Sequence, residues 1–483
     1  MQFNSYFFIL FFLPTSVIGY FLLNRIKPAT GLLYLLGMSL WFYGYFNKKY
    51  LILIVSSIFV NFFLSKIMER YNSYIKKAVL LLGLFFNICL IFYFKYYNFF
   101  IENINWVFHT DFNLKKILLP LGISFFTFQQ VSYIIDSYYG NTGGYSFLEY
   151  SLFVTFFPQL VAGPIVLHNE LIPFFRDSSL KKVKFENLNR GITMFTLGLF
   201  KKVMIADILG RMVAWGFDNL DIVTSMDLIL VMLAYTFQIY FDFSGYSDMA
   251  SGIAWMFNFK LPVNFDSPYK AYSINDFWRR WHMTLTRFLR TYIYFPLGGS
   301  RRGKVRTYLN TMLVFLISGI WHGADYTFIL WGIFHGAAQC ANRFFRKQYE
   351  TWHPVLQWGI TFLFLNFTWL LFRADSLGQW KDMCKRILSL SNLQVSSELI
   401  RQVSLPEIDF LYQHTAIGWW EEWIRGFTMW GLFAGCFLIT LNCTNNQRRQ
   451  LKPGVITRIA IPVLLTWCLI SLSTISVFLY FNF

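Results

Sequence analysis

Apolar residues run through the chain in long blocks, and polar residues are confined to the intervals between them. Blocks that read as spanning helices lie near 5–23, 30–46, 51–65, 78–98, 117–137, 150–167, 191–209, 225–245, 308–338, 355–372, 427–442 and 459–481. About 20 consecutive apolar residues in a helix cross the roughly 30 Å hydrocarbon core of a bilayer. Several blocks are short or interrupted, so the pattern predicts roughly nine to twelve spans. The intervals leave little room for a separate soluble domain. The expectation is an all-α polytopic membrane protein, one domain over residues 1–483.

Composition agrees. Of 483 residues, 56% are hydrophobic and 14% charged, against about 25% charged in a soluble globular protein. The first apolar block precedes the first cations, Arg25 and Lys27. A cleaved leader has the opposite order, so a retained first span with its N-terminus outside is expected. The six cysteines are scattered without a C-x-x-C pair, which suggests neither a zinc site nor a disulfide framework but ordinary buried thiols. A net charge of +17 can signal nucleic acid, yet Lys and Arg concentrate here in short loops, the pattern of cytoplasmic loops. No nucleic-acid-binding module is present.

The strongest charge signal is "FWRRWHMTLTRFLRTYIYFPLGGSRRGKVR", Phe277 to Arg306, with eight Lys/Arg and no acid. It is read as cytoplasmic. Topology and snorkelling onto anionic headgroups explain it; so does a site for a polyphosphorylated ligand, since Arg clusters pair well with phosphate. "GGSRRGKV" (298–305) is one residue short of a P-loop: Val305 stands where Ser or Thr must hold Mg²⁺, and no strand leads in. Its glycines predict a turn instead. "SGYSDM" (244–249) lacks the second glycine of a nucleophile elbow. If Phe277–Arg290 is an amphipathic surface helix, Trp278, Trp281, Leu285 and Phe288 form its membrane-facing stripe. His282 and Arg279 then lie near one another on another face, as a polar mouth or a headgroup contact.

Seven histidines are present. His109, His353 and His414 sit in mixed-polarity loops without an assigned role, and His168 follows a span as an interfacial residue. His322, in "SGIWHGADY" (318–326), is sixteen residues beyond Arg306, about 24 Å along a straight helix. Ionisable groups so deep in a bilayer line a cavity, a relay or a substrate path, or are satisfied structurally. His335 is thirteen residues further on. On a continuous helix the two lie about 20 Å and roughly 220° apart, so they share no metal site, and His335 reads as structural.

Five stretches in order, "FPQLVAGPI" (157–165), "YFDFSGYSDMA" (240–250), "SINDFWRRWHMTL" (273–285), "YFPLGGSRRG" (294–303) and "SGIWHGA" (318–324), resemble the membrane-bound O-acyltransferase family. The branch is the bacterial one typified by alginate O-acetyltransferase. "LPLGISFFTFQQVSYIIDSY" (119–138) fits the same branch and its relative that D-alanylates teichoic acids. The resemblance covers roughly 120–340 and implies a ring of helices about a thin centre where tunnels from both sides meet. It implies catalysis at His322, with His282 at the second polar position, and glycines beside His322 that leave room for substrate. The donor it implies is an acyl thioester such as acetyl-CoA, held by Arg279, Arg280, Arg301 and Arg302. A neutral buried imidazole suits the general base, because the thioester is already activated. The implied acceptor is an extracytoplasmic polysaccharide or cell-wall glycan, reached through an extracytoplasmic acyl-accepting protein. Asp242, Ser244 and Asp248 are candidates to orient polar groups. D-alanyl transfer, or a transporter with His322 as gate, are the alternatives.

Residues 373–426 carry six Lys/Arg against seven Asp/Glu, with Trp419, Trp420 and Trp423 placed for an interface. The loop 443–458 holds Arg448, Arg449, Lys452 and Arg458 without an acid and reads as cytoplasmic, so 373–426 should face outside, as a connector or as a docking surface for that partner.

Overall fold

The computed structural model describes the chain except residues 72, 416, 417, 419, 449–453, 473–475, 477 and 480–483. Trp419, Arg449 and Lys452 therefore lie outside the described residues. Those described form helices and no strand. Lys48–Arg70, Tyr74–Phe108, Ser225–Met256, Pro354–Arg373 and Glu421–Asn442 are long and apolar enough to cross a membrane, and Phe8–Asn24 and Arg458–Ile470 are shorter apolar helices. The helices divide into two compact units, Met1–Phe195 with Met249–Pro262, and Thr196–Asp248 with Val263–Phe483.

The first unit begins with α1 (Leu13–Asn24), α2 (Pro28–Gly44), α3 (Lys48–Arg70), α4 (Ser73–Ile91) and α5 (Tyr97–Phe108). It continues through α6 (Ile123–Tyr138), α7 (Phe147–Thr155), α8 (Phe157–Leu160), α9 (His168–Arg176) and the start of α10 (Phe185–Phe200). A buried amide knot ties three of these together. Asn61 Nδ2 donates to Gln130 Oε1 at 2.6 Å, Asn87 Nδ2 to Asn61 Oδ1 at 2.7 Å, and Gln130 Nε2 to Ser57 Oγ at 3.1 Å. With no water in the hydrocarbon region, these amides satisfy one another and fix α3, α4 and α6. The block predicted at 117–137 is non-helical up to Gly122. That residue has φ +71°, and an added Cβ would lie 2.6 Å from the Leu160 carbonyl, so only glycine fits the turn into α6. The block at 150–167 is likewise broken, into α7, α8 and a non-helical run to His168.

The second unit contains the end of α10, a π-helical turn at Lys201–Ala206, α11 (Asp207–Asp218) and most of α12 (Ser225–Met256). Next come α13 (Ile274–Arg280), α14 (Met283–Leu289), α15 (Lys304–His322), α16 (Tyr326–Phe344), α17 (Arg346–Tyr349) and α18 (Pro354–Arg373). It ends with α19 (Leu377–Ser389), α20 (Ser397–Arg401), α21 (Pro406–His414), α22 (Glu421–Asn442) and α23 (Val455–Ile470).

The single span expected at 308–338 is instead an antiparallel hairpin of α15 and α16. Gly323 is extended, the turn reaches Asp325, and the Asp325 carboxylate accepts the Thr327 N–H at 2.8 Å to start α16. Both hairpin roots therefore lie at one end of the unit, the basic end. Contacts across that end agree. Tyr349 donates to the Tyr272 carbonyl (2.9 Å), Trp358 Nε1 to the Tyr269 carbonyl (2.9 Å), and Gln339 Nε2 to the Ile274 carbonyl (3.3 Å). Arg448 pairs with Asp266 at 3.0 Å, and Lys270 reaches the Cys443 carbonyl at 2.9 Å. At the other end the start of α12 meets the segment after α19: Thr224 donates to the Gln394 carbonyl (2.8 Å), and the Ser396 N–H donates to Asp227 (2.9 Å).

Candidate active site

His322 is the last residue of α15, at the hairpin tip and 4% exposed. Its ring centroid lies 4.8 Å from that of Trp321, and 5.2 Å from those of Trp331 and Phe372. The neighbouring glycines do not leave room for a substrate, as expected, but for the hairpin itself. A Cβ on Gly323 would lie 2.1 Å from the Phe328 ring, one on Gly319 2.3 Å from the Phe328 carbonyl, and one on Gly332 2.5 Å from the Phe315 carbonyl. Gly319 and Gly332 face each other and let two helix backbones touch, the small-residue logic of membrane helix pairs. Among the described residues Ser318 Oγ and Trp331 Nε1 are buried beside this tip without a hydrogen-bond acceptor.

His282 is fully buried and reaches the same indole: its ring lies 6.2 Å from Trp321 and 4.8 Å from Phe243. The amphipathic helix expected through it does not exist. The chain breaks between α13 and α14, and His282 holds φ +42°, ψ +52°, a left-handed conformation that costs a non-glycine residue about 1–2 kcal/mol. Asn264 braces it. Its Oδ1 accepts the Thr284 N–H (3.3 Å) and Thr284 hydroxyl (2.8 Å) and lies 3.2 Å from His282 Nδ1, while its carbonyl accepts the Met283 N–H (2.9 Å). A backbone N–H can only donate, so the atom it meets is the amide oxygen. His282 Nδ1 must then carry the proton, and Nε2 is the acceptor nitrogen. His282 lies in the connection between spanning helices, where burial lowers its pKa to about 3 and holds the ring neutral.

His335 is fixed in the other tautomer. The Trp278 indole donates to Nδ1 at 3.2 Å, so Nε2 carries the proton toward Thr368 Oγ1, also 3.2 Å away. Trp331 lies between His322 and His335, 4.6 Å from the latter. The hairpin removes the premise that kept the two histidines 20 Å apart, but both His335 nitrogens are occupied and its role is structural. The predicted lipid-facing stripe is also reversed. Trp278, Trp281, Leu285 and Phe288 are buried, with Trp281 against Trp369 (4.9 Å) and Trp278 against Trp331 (5.8 Å). These indoles wall the site.

Among the predicted donor-binding arginines, Arg279 is exposed, and the break in the helix separates it from buried His282. Arg280 pairs with Asp276 at 2.9 Å. With Lys270, Tyr272 and Trp358 it lines a 420 Å³ cavity at the basic end. Arg301 and Arg302 are exposed on the glycine turn before α15 and do not line that cavity.

Asp242 and Asp248 belong to a buried ion-pair network the sequence reading missed. Lys202 bonds Asp242 (2.7 Å) and Asp207 (2.8 Å), and Lys201 bonds Asp248 (2.7 Å), which also accepts from Asn446 (2.9 Å). The π-helical turn at 201–206 presents the adjacent lysines to α12 and α11. The signal was two consecutive lysines in the otherwise apolar "GLFKKVMIA", which must find anions at that depth. Ser244 is buried on the same helix. His168 is buried in the protein. It is 1% exposed, with Tyr145 OH 3.1 Å from Nδ1 and Asp136 3.0 Å from Nε2. Among the cysteines, Cys89 and Cys443 are exposed rather than buried.

The family model for membrane-bound O-acyltransferases matches residues 62–377, which include both site histidines and all four arginines. The chain belongs to the membrane-bound O-acyltransferase family. It is 39% identical to a peptidoglycan O-acetyltransferase of Helicobacter pylori, over 100% of this chain and 98% of that one. It is 37% identical to a probable alginate O-acetylase of Pseudomonas aeruginosa, over 82% and 76% of the two chains. A teichoic acid D-alanyltransferase of Bacillus subtilis is 28% identical over 52% and 68%. This member of the membrane-bound O-acyltransferase family is an enzyme, an acyltransferase, and a multi-pass membrane protein.

Proposed function

We propose that this acyltransferase moves an acetyl group from a thioester, acetyl-CoA or a like carrier, arriving at the basic end, to a hydroxyl on the far side of the membrane, with His322 as general base. The observation that carries the reading is His322 at the tip of a hairpin whose roots are basic. α15 is 19 residues long, so the imidazole sits about 27 Å from the root, nearly a bilayer away from the cations. The basic end is cytoplasmic by the positive-inside bias, and Arg279, Arg280, Arg301 and Arg302 attract the donor's phosphates there.

As the acceptor oxygen attacks the thioester carbonyl, His322 takes its proton. Collapse of the tetrahedral intermediate breaks the C–S bond, and the imidazolium returns the proton to the leaving thiolate. Ser318 Oγ and Trp331 Nε1, buried donors beside the ring, are available to the developing oxyanion. His282, held neutral with Nε2 as acceptor, orients a donor group of the substrate. Its low pKa suits a hydrogen-bond acceptor better than a base working near pH 7.

Peptidoglycan is the acceptor we favour over alginate, because the peptidoglycan O-acetyltransferase aligns with the whole chain. The segment 373–426, at the far end from the basic roots, with Trp420 and Trp423 exposed, is the surface where a partner protein receives the acyl group. Replacing 390–415 by a neutral linker should abolish glycan acetylation while thioester turnover persists; unchanged acetylation would defeat the docking role. The central test is transfer from labelled acetyl-CoA by purified protein, with His322→Ala inactive yet recovered at normal level. Retained transfer removes His322 from the mechanism, and transport without transfer would favour a conduit.

A further inference from the structure

At the basic end of the second unit an open groove of about 480 Å³ runs between the end of α16, α17 and α18. Its walls include Ala338, Ala341, Phe345, Ile360 and Phe364, with Trp352 at the rim. Tyr349 lines it too, but its hydroxyl is spent on the carbonyls of Tyr272 and Gln357 (2.9 and 2.8 Å), so only its ring is offered. From Pro354 at the start of α18 to Phe364 is ten residues, about 15 Å of helix. That is half of the roughly 30 Å hydrocarbon core, the depth of one leaflet.

The mouth is polar and cationic. Asn342 and Gln348 place amides there, and exposed Arg343, Arg346 and Lys347 flank them in sequence. Arg346 is matched by Glu350 at 2.7 Å, and Glu350 is the one acid from 339 to 353. The segment beside the mouth therefore carries two positive charges in excess. We propose that the groove holds one acyl chain of an anionic phospholipid of this leaflet, with its phosphate against Arg343 and Lys347. A soluble ligand would not match an apolar slot one leaflet deep, and a zwitterionic lipid would leave the two cations unanswered.

The test uses the full-length protein in nanodiscs containing phosphatidylglycerol or phosphatidylethanolamine brominated near the headgroup end of one chain. The Trp352 signal is obtained by difference against Trp352→Phe. Quenching of Trp352 should be stronger with phosphatidylglycerol. Reversing both mouth charges, Arg343→Glu with Lys347→Glu, should lower the preference for it by at least about ten-fold. Ala341→Leu, which fills the slot, should cut quenching by both lipids. Equal quenching by the two lipids in the native chain, meaning ordinary surrounding lipid, overturns the proposal. So does the absence of quenching, or a preference untouched by charge reversal in protein recovered normally.

Discussion

Replacing Asn264 by leucine should disable the enzyme without touching either imidazole. The substitution keeps volume and removes one oxygen that serves three donors: the Thr284 N–H, the Thr284 hydroxyl and His282 Nδ1–H. The hydroxyl can rotate to another acceptor and the ring can shift its proton to Nε2, but the backbone N–H can do neither. Taking this acceptor from a buried backbone N–H costs about 1–3 kcal/mol, which sets the loss of stability. The left-handed turn at His282 loses its brace and the ring its fixed tautomer. Misplacing a catalytic-site group by about 1 Å can cost about 100-fold in rate. Steady-state acetyl transfer from a thioester should therefore show kcat down about 100-fold in Asn264→Leu protein that still elutes as a folded peak. Asn264→Asp keeps an acceptor at the same place and should recover part of the rate. A carboxylate there also favours the imidazolium, so its pH profile should move to higher pH. Asn264→Leu within two-fold of the native rate, or Asp no better than Leu, would refute the reasoning.

Three further outcomes follow from the second unit. Gly332→Val should force α15 and α16 apart, because a Cβ there sits 2.5 Å from the Phe315 carbonyl; overpacking of this kind costs about 1–3 kcal/mol, read as a lower unfolding midpoint together with lost transfer. Lys202→Met should destabilise by about 3–5 kcal/mol, since Asp242 is left buried without its cation, and adding Asp242→Asn should recover much of it in a double-mutant cycle; simple additivity would contradict the network. Ser300→Cys and Lys347→Cys should label from the same, cytoplasmic side, because the hairpin returns the chain to its starting end; labelling from opposite sides would restore a single crossing at 308–338.

The composition and apolar blocks made the all-helical membrane class legible, and ordered motifs pointed to the family and to His322. What escaped the sequence has a common cause. Apolar length does not record where a helix stops, so "GIWHGADY" read as mid-span although Gly323 and the Asp325 cap end one helix and start another. Periodicity finds a stripe but not what covers it, so Trp278 and Trp281 were placed against lipid when other indoles occupy that face. Asn264, in the mixed "KLPVNFDSPYK", gave no signal, because its importance lies in three contacts that only the turn at His282 brings together. Lys201 and Lys202 could have been flagged by depth alone.

The hairpin also constrains how the protein is made. Neither α15 nor α16 is among the helices apolar enough to cross a membrane by length and composition, and α15 carries Asn310, Thr307 and a terminal imidazole into it. Asn310 donates to the Gly299 and Leu297 carbonyls, and Trp278 donates to His335 on α16. Gly319 and Gly332 bring the two backbones into contact, so α15 is expected to enter lipid more favourably once α16 is there to pack against it. A nascent chain truncated before about residue 344, although anchored by its earlier spans, should therefore leave a cysteine placed at Ser318 open to a water-soluble thiol reagent, while one truncated after α18 should protect it, as Ser318 is buried in the finished hairpin.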